Sequence, residues 1–453
     1  MPTEQNQDGG LGPVTVPRSG HCVSRAQISS NALKVLYRLD KADFQSYLVG
    51  GAVRDLLLGR EPKDFDVATD ARPEEIKDLF RNCRLIGRRF RLAHVHFGAE
   101  IIEVATFRGP GMDSSEGKSE GKDIRVEDGM IIHDNAYGSL EEDAWRRDFT
   151  VNALYYNIHD FSVLDFVGGL HDLEVGLVRP IGDPRVRFRE DPVRMLRAIR
   201  FAAKLGFRIE PESIAAMREL GETLLGVPPA RLFDEVLKIF LGGSGQDIFK
   251  LLRDLDLFGF LFPLTESSLK DHPLNGFQDM LLYGLKNTDD RVLAEKPVTP
   301  AFLYACLLWP AFYVRWQAGM AAGQRENEAL HQAAELVINV QMERIALPRR
   351  FTVPMKEIWA LQNRFLNKKG RRAVRLLEHP RFRAAYDFLL IRAHGDAALV
   401  EVAQWWTDIQ TLEEPERIKK FGLGGHGRLK KRRRGKKEKT NGNGQDSPAD
   451  LGI

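Results

Sequence analysis

Apolar residues follow two different spacings along this chain, and the spacing changes at about residue 180. Before that point, short apolar runs at residues 47–49, 65–67 and 94–107 predict strands with helices between them. Beyond it, apolar residues recur every three or four positions, as at residues 194–205, which predict an amphipathic helix ended by Gly206. The pattern therefore predicts an α+β fold, in which a small mixed α/β head precedes an extended all-α neck and body.

Changes in composition divide the chain further. Residues 109–125 are rich in Gly, Ser, Lys and Glu and predict a mobile loop within the head. After residue 418 the helical spacing is lost, which predicts disorder. We predict five segments: a flexible N-terminal segment at 1–30, the head at 31–180, a helical neck at 181–265, a helical body at 266–420 and a disordered basic tail at 421–453.

The charge of the chain is concentrated in that tail. The 453 residues carry a net charge of only +3, yet residues 428–439 hold nine Lys or Arg and one Glu. Such a run attracts nucleic-acid phosphates without regard to sequence, although a generic solubilising tail has the same composition. The candidate RNA contacts in the tail are Lys430, Lys431, Arg432, Arg433 and Arg434.

Cysteine usage and hydropathy indicate the compartment. The three cysteines have no paired spacing, which argues against a disulfide framework or a structural zinc site and favours a cytoplasmic protein. The polar N-terminus predicts no secretory signal. The most apolar stretch, residues 301–314, is about half the length of a membrane span and contains Pro310, so it predicts a buried helix and no membrane association.

Two aspartates in the head form a candidate metal site. Asp64 and Asp66 flank Phe65 on a predicted strand, where side chains two positions apart point to the same face. Two adjacent carboxylates repel each other, and a divalent cation such as Mg²⁺, or Mn²⁺ in its place, relieves that repulsion. Exposed strands and turns also carry such pairs without any metal, so the pair alone is weak evidence.

A glycine turn upstream strengthens the metal interpretation. Gly50 and Gly51 connect a predicted strand to a predicted helix, and such a turn presents backbone N–H groups to phosphate. Arg54, one helical turn later, adds a charged donor. Together with Asp64 and Asp66, these residues predict a site for a metal ion and a phosphate chain.

A third carboxylate has two candidates. Glu103 interrupts an apolar strand and must face either solvent or a site. Asp148 lies in a polar segment, residues 146–150, and is alternatively a helix cap. The sequence leaves the choice between them open.

Four ordered motifs resemble the class II nucleotidyltransferase superfamily, which holds bacterial poly(A) polymerases and tRNA CCA-adding enzymes. The first motif is LVGGAVRDLLLG at residues 48–59 with the Asp-Phe-Asp at 64–66, and the second is RRDFTVNA at 146–153. The third spans 165–173, and the fourth is EDPVRMLRAIRF at 190–201. The match covers roughly residues 31–265, and its order and spacing make it specific.

The resemblance implies roles for the matching residues. Asp64 and Asp66 would bind the metal, with Asp148 or Glu103 as a further catalytic carboxylate. The nucleotide would be held by residues of the first, second and fourth motifs: Gly50, Gly51, Arg54, Arg147, Asp191, Arg194 and Arg197. Asp191 and Arg194, three positions apart and predicted to share a helix face, would contact the incoming base.

One segment favours the poly(A) polymerase branch. Residues 85–95, LIGRRFRLAHV, resemble a stretch that marks bacterial poly(A) polymerases, and they predict that Arg88, Arg89 and Arg91 meet RNA phosphate beside the catalytic strands. An ordinary basic surface is the alternative. The resemblance thus implies a template-independent polymerase that adds AMP from ATP to single-stranded RNA 3′ ends and marks RNA for decay or processing.

Two other functions remain open at this point. The same residues would serve a tRNA CCA-adding enzyme, and a non-catalytic RNA-binding protein could act through the basic tail alone. The resemblance also implies a monomer that cooperates with RNA-decay machinery.

Overall fold

The computed structural model describes residues 13–87, 91–109, 124–127, 130–134 and 137–423. Its strands are β1 Val14–Val16, β2 Ser46–Val49, β3 Asp66–Thr69, β4 Cys83–Ile86, β5 Leu92–Phe97, β6 Glu100–Thr106, β7 Ile124–Glu127, β8 Met130–Asp134, β9 Leu154–Asn157, β10 Val163–Asp165, β11 Leu177–Val178 and β12 Arg208–Ile209.

The first twelve helices belong to the head, the neck and the start of the body. They are α1 Ser30–Asp40, α2 Gly51–Leu57, α3 Pro73–Leu79, α4 Leu140–Arg146, α5 Gly169–Val175, α6 Pro184–Glu190, α7 Val193–Leu205, α8 Pro211–Leu220, α9 Pro229–Phe240, α10 Gly245–Asp254, α11 Phe258–Leu261 and α12 Pro263–Asp271. The later helices are α13 Phe277–Leu293, α14 Pro300–Leu307, α15 Trp309–Ala321, α16 Glu326–Arg344, α17 Arg349–Gln362, α18 Gly370–Leu377, α19 Phe382–Gly395, α20 Val400–Thr411 and α21 Glu414–Lys420.

The head is built on one eight-stranded sheet. Its strand order is β1-β10-β9-β2-β3-β6-β5-β4, and its pairs are antiparallel except for the parallel pair of β3 with β6. Leu48, Val67 and Val104 point to one face and are fully buried with α1 and α2, so this face carries the core of the head. The alternate residues point to the other face, where Val49, Ala68 and Tyr155 form a smaller buried cluster and Asp66 and Glu103 place their carboxylates.

The observed strands correct three predictions about the head. Val14–Val16, within the segment predicted to be flexible, is an edge strand paired with β10. The predicted strand at 65–67 begins at Asp66, so Asp64 and Phe65 belong to the loop before it. Ile124 and Arg125, predicted to end a loop, begin the strand β7, which pairs with β8.

A carboxylate and a glycine hold the turn after β10. Buried Asp165 accepts hydrogen bonds from the backbone N–H groups of Val167, Gly168, Gly169 and Leu170, at 2.9–3.0 Å. A Cβ atom at Gly169 would lie only 2.2 Å from the Thr150 carbonyl oxygen, so glycine permits α5 to pack directly on the turn at residues 150–152. The third motif therefore fixes the segment that carries the second.

The neck begins with two helices that meet at a sharp junction. α6 ends at Glu190, and α7 starts at Val193 after Pro192. As predicted, α7 is amphipathic, and Gly206 ends it in a left-handed conformation with φ +74°. Its buried side joins the core, and its basic side is left to face the head.

The body is helical throughout its described length. The apolar stretch at 301–314 is buried as predicted, but it forms two helices, α14 and α15, because Pro310 occupies the first turn of a new helix. Within the residues that the structure describes, no helix is long and apolar enough to cross a membrane.

We predict that Gly169→Ala destabilises the head by roughly 1–3 kcal/mol, because the added methyl group would overlap the backbone at Thr150. Urea unfolding of the two variants Gly169→Ala and Gly226→Ala measures this, since a Cβ at Gly226 meets no atom within 4 Å. Equal stability of the two variants would contradict the packing described for α5.

Candidate active site

A basic cleft separates the head from the neck. It has a volume of about 720 Å³, and residues of the first, second and fourth motifs form its walls. Its charged lining comprises the cations Arg54, Lys63, Arg108, Arg146, Arg147, Arg187, Arg194, Arg197, Arg200, Lys204 and Arg231, and the acids Asp55, Asp64, Asp66, Asp148, Glu190 and Asp191. The excess of cations suits a polyanionic ligand such as a nucleotide triphosphate.

Strand pairing brings carboxylates together at the edge of the cleft. In the parallel pair of β3 and β6, Asp66 lies directly beside Glu103. Both residues point away from the core face, because their neighbours Val67 and Val104 are fully buried. Asp64 reaches the cleft from the loop before β3, so the two aspartates come together although only one of them is on a strand.

Asp66 is a carboxylate without a counter-charge in direct contact. Burial, followed by the charge of Glu103, raises the pKa of Asp66 from 3.8 to about 6. Among the described residues, no side chain donates a hydrogen bond to Asp66 or pairs with it, and no group of three or more His, Cys, Asp and Glu has metal-binding geometry. Asp64 and Asp66 both line the cleft without a side-chain partner in the described part of the chain, and their oxygen donors suit a hard divalent cation.

His94 lies on the far side of Glu103. The two residues face each other across β5 and β6, and His94 Nε2 is 3.3 Å from Glu103 Oε1. Asp66, Glu103 and His94 therefore form one row across three adjacent strands.

The glycine turn is held in place by the second motif. Gly50 has φ +70°, and a side chain there would meet the Arg147 guanidinium at 3.5 Å. Arg54 is only 2% exposed; it donates hydrogen bonds to Asp55 at 2.7 and 2.9 Å and to the side chain of Asn152. Arg54 thus brings its charge to the cleft, while its donors fasten the turn to residues 150–152.

Arg147 is fixed by a buried network. Its Nε and Nη2 donate to Asp143 Oδ2 at 3.1 and 2.9 Å, and its Nε also lies 2.8 Å from the Tyr155 hydroxyl. Tyr155 in turn donates to the same Asp143 oxygen at 2.8 Å. Burial opposes the charge of Arg147, but Asp143 outweighs it and raises the pKa of Arg147, which therefore stays cationic beside Gly50.

Asp148 is bound by two arginines of α7. Its carboxylate accepts from Arg194 Nε at 2.8 Å and is paired with Arg197 Nη1. Burial would raise the pKa of Asp148, but Arg197 and Arg194 more than offset it and lower that pKa. Asp148 is therefore an ionised anchor between the head and the neck, and its environment differs from that of Glu103.

Asp191 and Arg194 do not share a helix face as predicted. Asp191 follows the last residue of α6 and pairs with Arg231 of α9 at 2.6 Å, whereas Arg194 is on α7 and also pairs with Glu190 at 2.8 Å. The junction at Pro192 causes the difference, because it ends one helix and starts another. Both side chains still line the cleft.

The sequence analysis assigned no role to several residues that line the cleft. They include Lys63, Arg108, Asn152, Arg187, Arg200, Lys204 and Arg231. Burial lowers the pKa of both Arg200 and Lys204. The sequence does indicate where Arg200 and Lys204 lie. They follow Arg197 by three and seven positions on α7, which places all three side chains on the same side of the helix.

The predicted RNA contacts are placed only in part. Arg91 is half-exposed and pairs with Glu74 at 2.6 Å. Arg88, Arg89, Lys430, Lys431, Arg432, Arg433 and Arg434 lie outside the described residues.

Three known families match successive parts of the chain. Their descriptions are "Poly A polymerase head domain" over residues 46–179, "Probable RNA and SrmB- binding site of polymerase A" over 206–269 and "Polymerase A arginine-rich C-terminus" over 322–440.

Curated relatives cover most of the chain. The Poly(A) polymerase I of Salmonella typhi is 48% identical over 404 residues, which are 88% of this chain and 86% of that protein. The Haemophilus influenzae Poly(A) polymerase I is 44% identical over 86% of each chain. The CCA-adding enzyme of Lactobacillus helveticus is 37% identical over 50% of this chain and 53% of its own length.

Solved structures share the fold. The Bacillus stearothermophilus CCA-adding enzyme in complex with CTP has a TM-score of 0.55 at 23% identity, covering 87% of this chain and 88% of its own. A tRNA nucleotidyltransferase complexed with a primer tRNA and an incoming ATP analog has a TM-score of 0.56 at 23% identity, covering 83% of this chain and 98% of its own. The α+β architecture is thus confirmed, and the extent of the curated matches shows that this chain belongs to the bacterial poly(A) polymerase I family.

Proposed function

We infer that this chain is a template-independent polynucleotide adenylyltransferase: the 3′-hydroxyl of an RNA attacks the α-phosphate of ATP, AMP is added, and pyrophosphate leaves. The observation that carries this function is the meeting of Asp64 and Asp66 at a strongly basic cleft, with Glu103 beside Asp66 on the next strand, in a chain 48% identical to a poly(A) polymerase I over 88% of its length.

Metal ligation is assigned to Asp64 and Asp66, with Mg²⁺ or Mn²⁺ as the cation. Their hard oxygen donors and the raised pKa of Asp66, which burial and then Glu103 cause, support a site that a divalent cation would complete. When bound, such a cation stabilises charge on the attacking and leaving oxygens of phosphoryl transfer.

Glu103, and not Asp148, is the third catalytic carboxylate in this proposal. Glu103 is half-exposed beside Asp66, and its contact with His94 Nε2 at 3.3 Å involves only one of its two carboxylate oxygens. Asp148 already neutralises Arg194 and Arg197, so its contribution is to orient those arginines. The sequence left the choice between Glu103 and Asp148 open, and the contacts of the two carboxylates favour Glu103.

The remaining cleft residues bind and orient the nucleotide. The turn at Gly50 and Gly51 leaves room for phosphate beside the cationic Arg147 and Arg54. Asp191 and Arg194 contact the base in this proposal: the Nη2 group of Arg194 makes no hydrogen bond with a described residue, and Asp191 is held towards the cleft by Arg231.

Adenylate addition is favoured over CCA addition by the extent of the sequence match. The poly(A) polymerase relatives match both head and body, whereas the CCA-adding relative matches about half of the chain. A non-catalytic protein is disfavoured, since it would have no need for a complete carboxylate and phosphate site.

Incubation with a non-tRNA RNA and each NTP in turn tests adenylate addition: long A-only tails are expected, and addition limited to tRNA ends would refute it. A monomer acting in RNA decay remains part of the proposal.

We predict that Glu103→Gln lowers kcat by about 100-fold or more, because several kcal/mol of transition-state stabilisation is lost. Asp148→Asn is expected to act mainly on the KM for ATP, since it frees Arg194 and Arg197. Steady-state AMP incorporation on a defined RNA separates the two effects, and thermal melting confirms that each variant is folded. A large loss of kcat in Asp148→Asn alone, with Glu103→Gln active, would reverse the assignment.

We predict that Asp66→Asn abolishes activity yet stabilises the metal-free protein at pH 7–8 by about 1–2 kcal/mol. The folded pKa of about 6 exceeds the usual 3.8, owing first to burial and then to Glu103, so ionisation of Asp66 destabilises the fold as the pH rises through that window.

Asp160→Asn is the control of opposite sign. Burial raises the pKa of Asp160, but hydrogen bonds from Ser162 outweigh it and lower that pKa, so this substitution should destabilise the protein at neutral pH. Denaturant unfolding with EDTA measures both effects. A wild-type protein as stable as Asp66→Asn at pH 8 would show that Asp66 carries no unrelieved charge.

A further inference from the structure

A second cavity lies in the helical body and shares no residue with the cleft between head and neck. It has a volume of about 430 Å³ and lies where the start of α13 meets the end of α19. Trp309 and Tyr313 of α15 and Arg392 of α19 form part of its wall. We call it the body cavity.

Two glycines bring the ends of α13 and α19 into contact. Gly276 precedes α13 with φ +65°, and a Cβ atom there would overlap the carbonyl oxygen of Gly395. A Cβ atom at Gly395 would in turn overlap the carbonyl oxygen of Gly276. The two backbones therefore touch, and the N-terminus of α13 becomes part of the wall of the body cavity.

The first turn of α13 has no cap. The backbone N–H groups of Phe277, Gln278 and Asp279 have no acceptor among the described residues, and Gly276 before them has no side chain to supply one. In a helix of 17 residues, these N–H groups form the positive end of the helix dipole. A helix terminus of this kind favours a bound anion.

Arg392 adds a positive charge that no carboxylate neutralises. Its Nη1 donates to Gln362 Oε1 at 3.2 Å, and its guanidinium lies 4.3 Å from the centre of the Trp309 ring. It forms no ion pair with a residue that the structure describes. Burial lowers the pKa of Arg392 to about 10, so the side chain is still cationic at neutral pH.

The neutral partner of Arg392 is held in a fixed orientation. Gln362 is buried, and its amide nitrogen donates to the carbonyl oxygens of Ile358 and Ala385 at 3.0 and 3.1 Å. These bonds leave the amide oxygen to orient the guanidinium without cancelling its charge. Asp396, an acid in the cavity wall, already accepts a hydrogen bond from the Ala398 N–H at 3.0 Å.

Two aromatic side chains contribute further donors. Trp309 is only 2% exposed, and its indole N–H has no acceptor among the described residues. The hydroxyl of the half-buried Tyr313 likewise makes no hydrogen bond within the described part of the chain. Because a buried donor without an acceptor is unfavourable, a ligand that accepts from these groups would be stabilised.

We propose that the body cavity binds the phosphate group of a small organic phosphate ester. The Arg392 guanidinium and the uncapped first turn of α13 would hold the phosphate oxygens, and the rings of Trp309 and Tyr313 would contact the organic part. A phosphate group has three terminal acceptor oxygens and a carboxylate has two, so phosphate suits this set of donors better.

The size and position of the cavity favour a small ligand. Its volume lies in the range of roughly 300–1,000 Å³ that is usual for small-molecule sites. The donors are recessed among buried side chains, whereas the backbone of a nucleic acid contacts charges that are dispersed over an open surface.

The test measures binding of phenyl phosphate to the full-length protein while a saturating, non-hydrolysable ATP analogue occupies the cleft. The protein is labelled with 5-fluorotryptophan, and the ¹⁹F resonance of Trp309, one of six tryptophans, is assigned by its loss in Trp309→Phe. A shift of this resonance during titration locates the ligand in the body cavity and gives its Kd.

Arg392→Gln is expected to weaken binding by about 10- to 100-fold, because charge-assisted hydrogen bonds to the phosphate are lost. Arg392→Lys keeps the charge without the planar fork and should lose less. The matched control is Arg315→Gln: Arg315 is also half-buried, has a pKa lowered by burial and forms no ion pair with a described residue, but it does not line the cavity. The control should bind phenyl phosphate as the wild-type protein does.

Three results would overturn the proposal: no shift of the Trp309 resonance in the wild-type protein, an unchanged Kd in Arg392→Gln, or an equal loss in Arg315→Gln. Benzoate binding as tightly as phenyl phosphate would rule out phosphate as the preferred group. Competition by a single-stranded RNA with a blocked 3′ end would assign the cavity to an RNA backbone instead. Thermal melting checks that each variant is folded, and if Arg392→Gln is not, an unchanged Kd in Arg392→Lys contradicts the proposal.

Discussion

The parallel pairing of β3 with β6 is the constraint on which the candidate site depends. It places Asp66 beside Glu103 on the face opposite the main core of the head, while Val67 and Val104 are buried in that core. A shift of one residue in this pairing would turn every side chain to the opposite face. The cost of holding carboxylates together shows in the pKa of Asp66, which burial and then Glu103 raise to about 6.

Residues 146–152 connect the parts of the site to one another. Arg147 lies against the glycine turn, Asp148 binds the arginines of α7, and Asn152 accepts from Arg54. The helix α5 supports this segment, because Gly169 lets α5 pack directly against Thr150. The head and neck therefore meet through charged contacts that also face the cleft, and one short motif contacts both walls of it.

Positive charge is used in two different ways along the chain. In the cleft, cations such as Arg194 and Arg147 are paired with buried acids, so their positions are fixed and only part of their donor capacity remains. On α18 of the body, Arg371 and Arg375 are exposed and form no ion pair within the described part of the chain.

The sequence by itself determined part of the fold and the type of chemistry: the spacing of apolar residues predicted α7 and the strands β2, β3, β5 and β6, and the ordered motifs identified the family and many of the cleft residues. Only the tertiary structure decided which carboxylates meet, because the pairing of β3 with β6 joins positions 37 residues apart that no local pattern relates. It likewise separated Asp191 from Arg194 at Pro192, and it showed which cations are already neutralised. Local spacing sets which face a side chain takes, whereas its partner across space depends on strand pairing and helix packing.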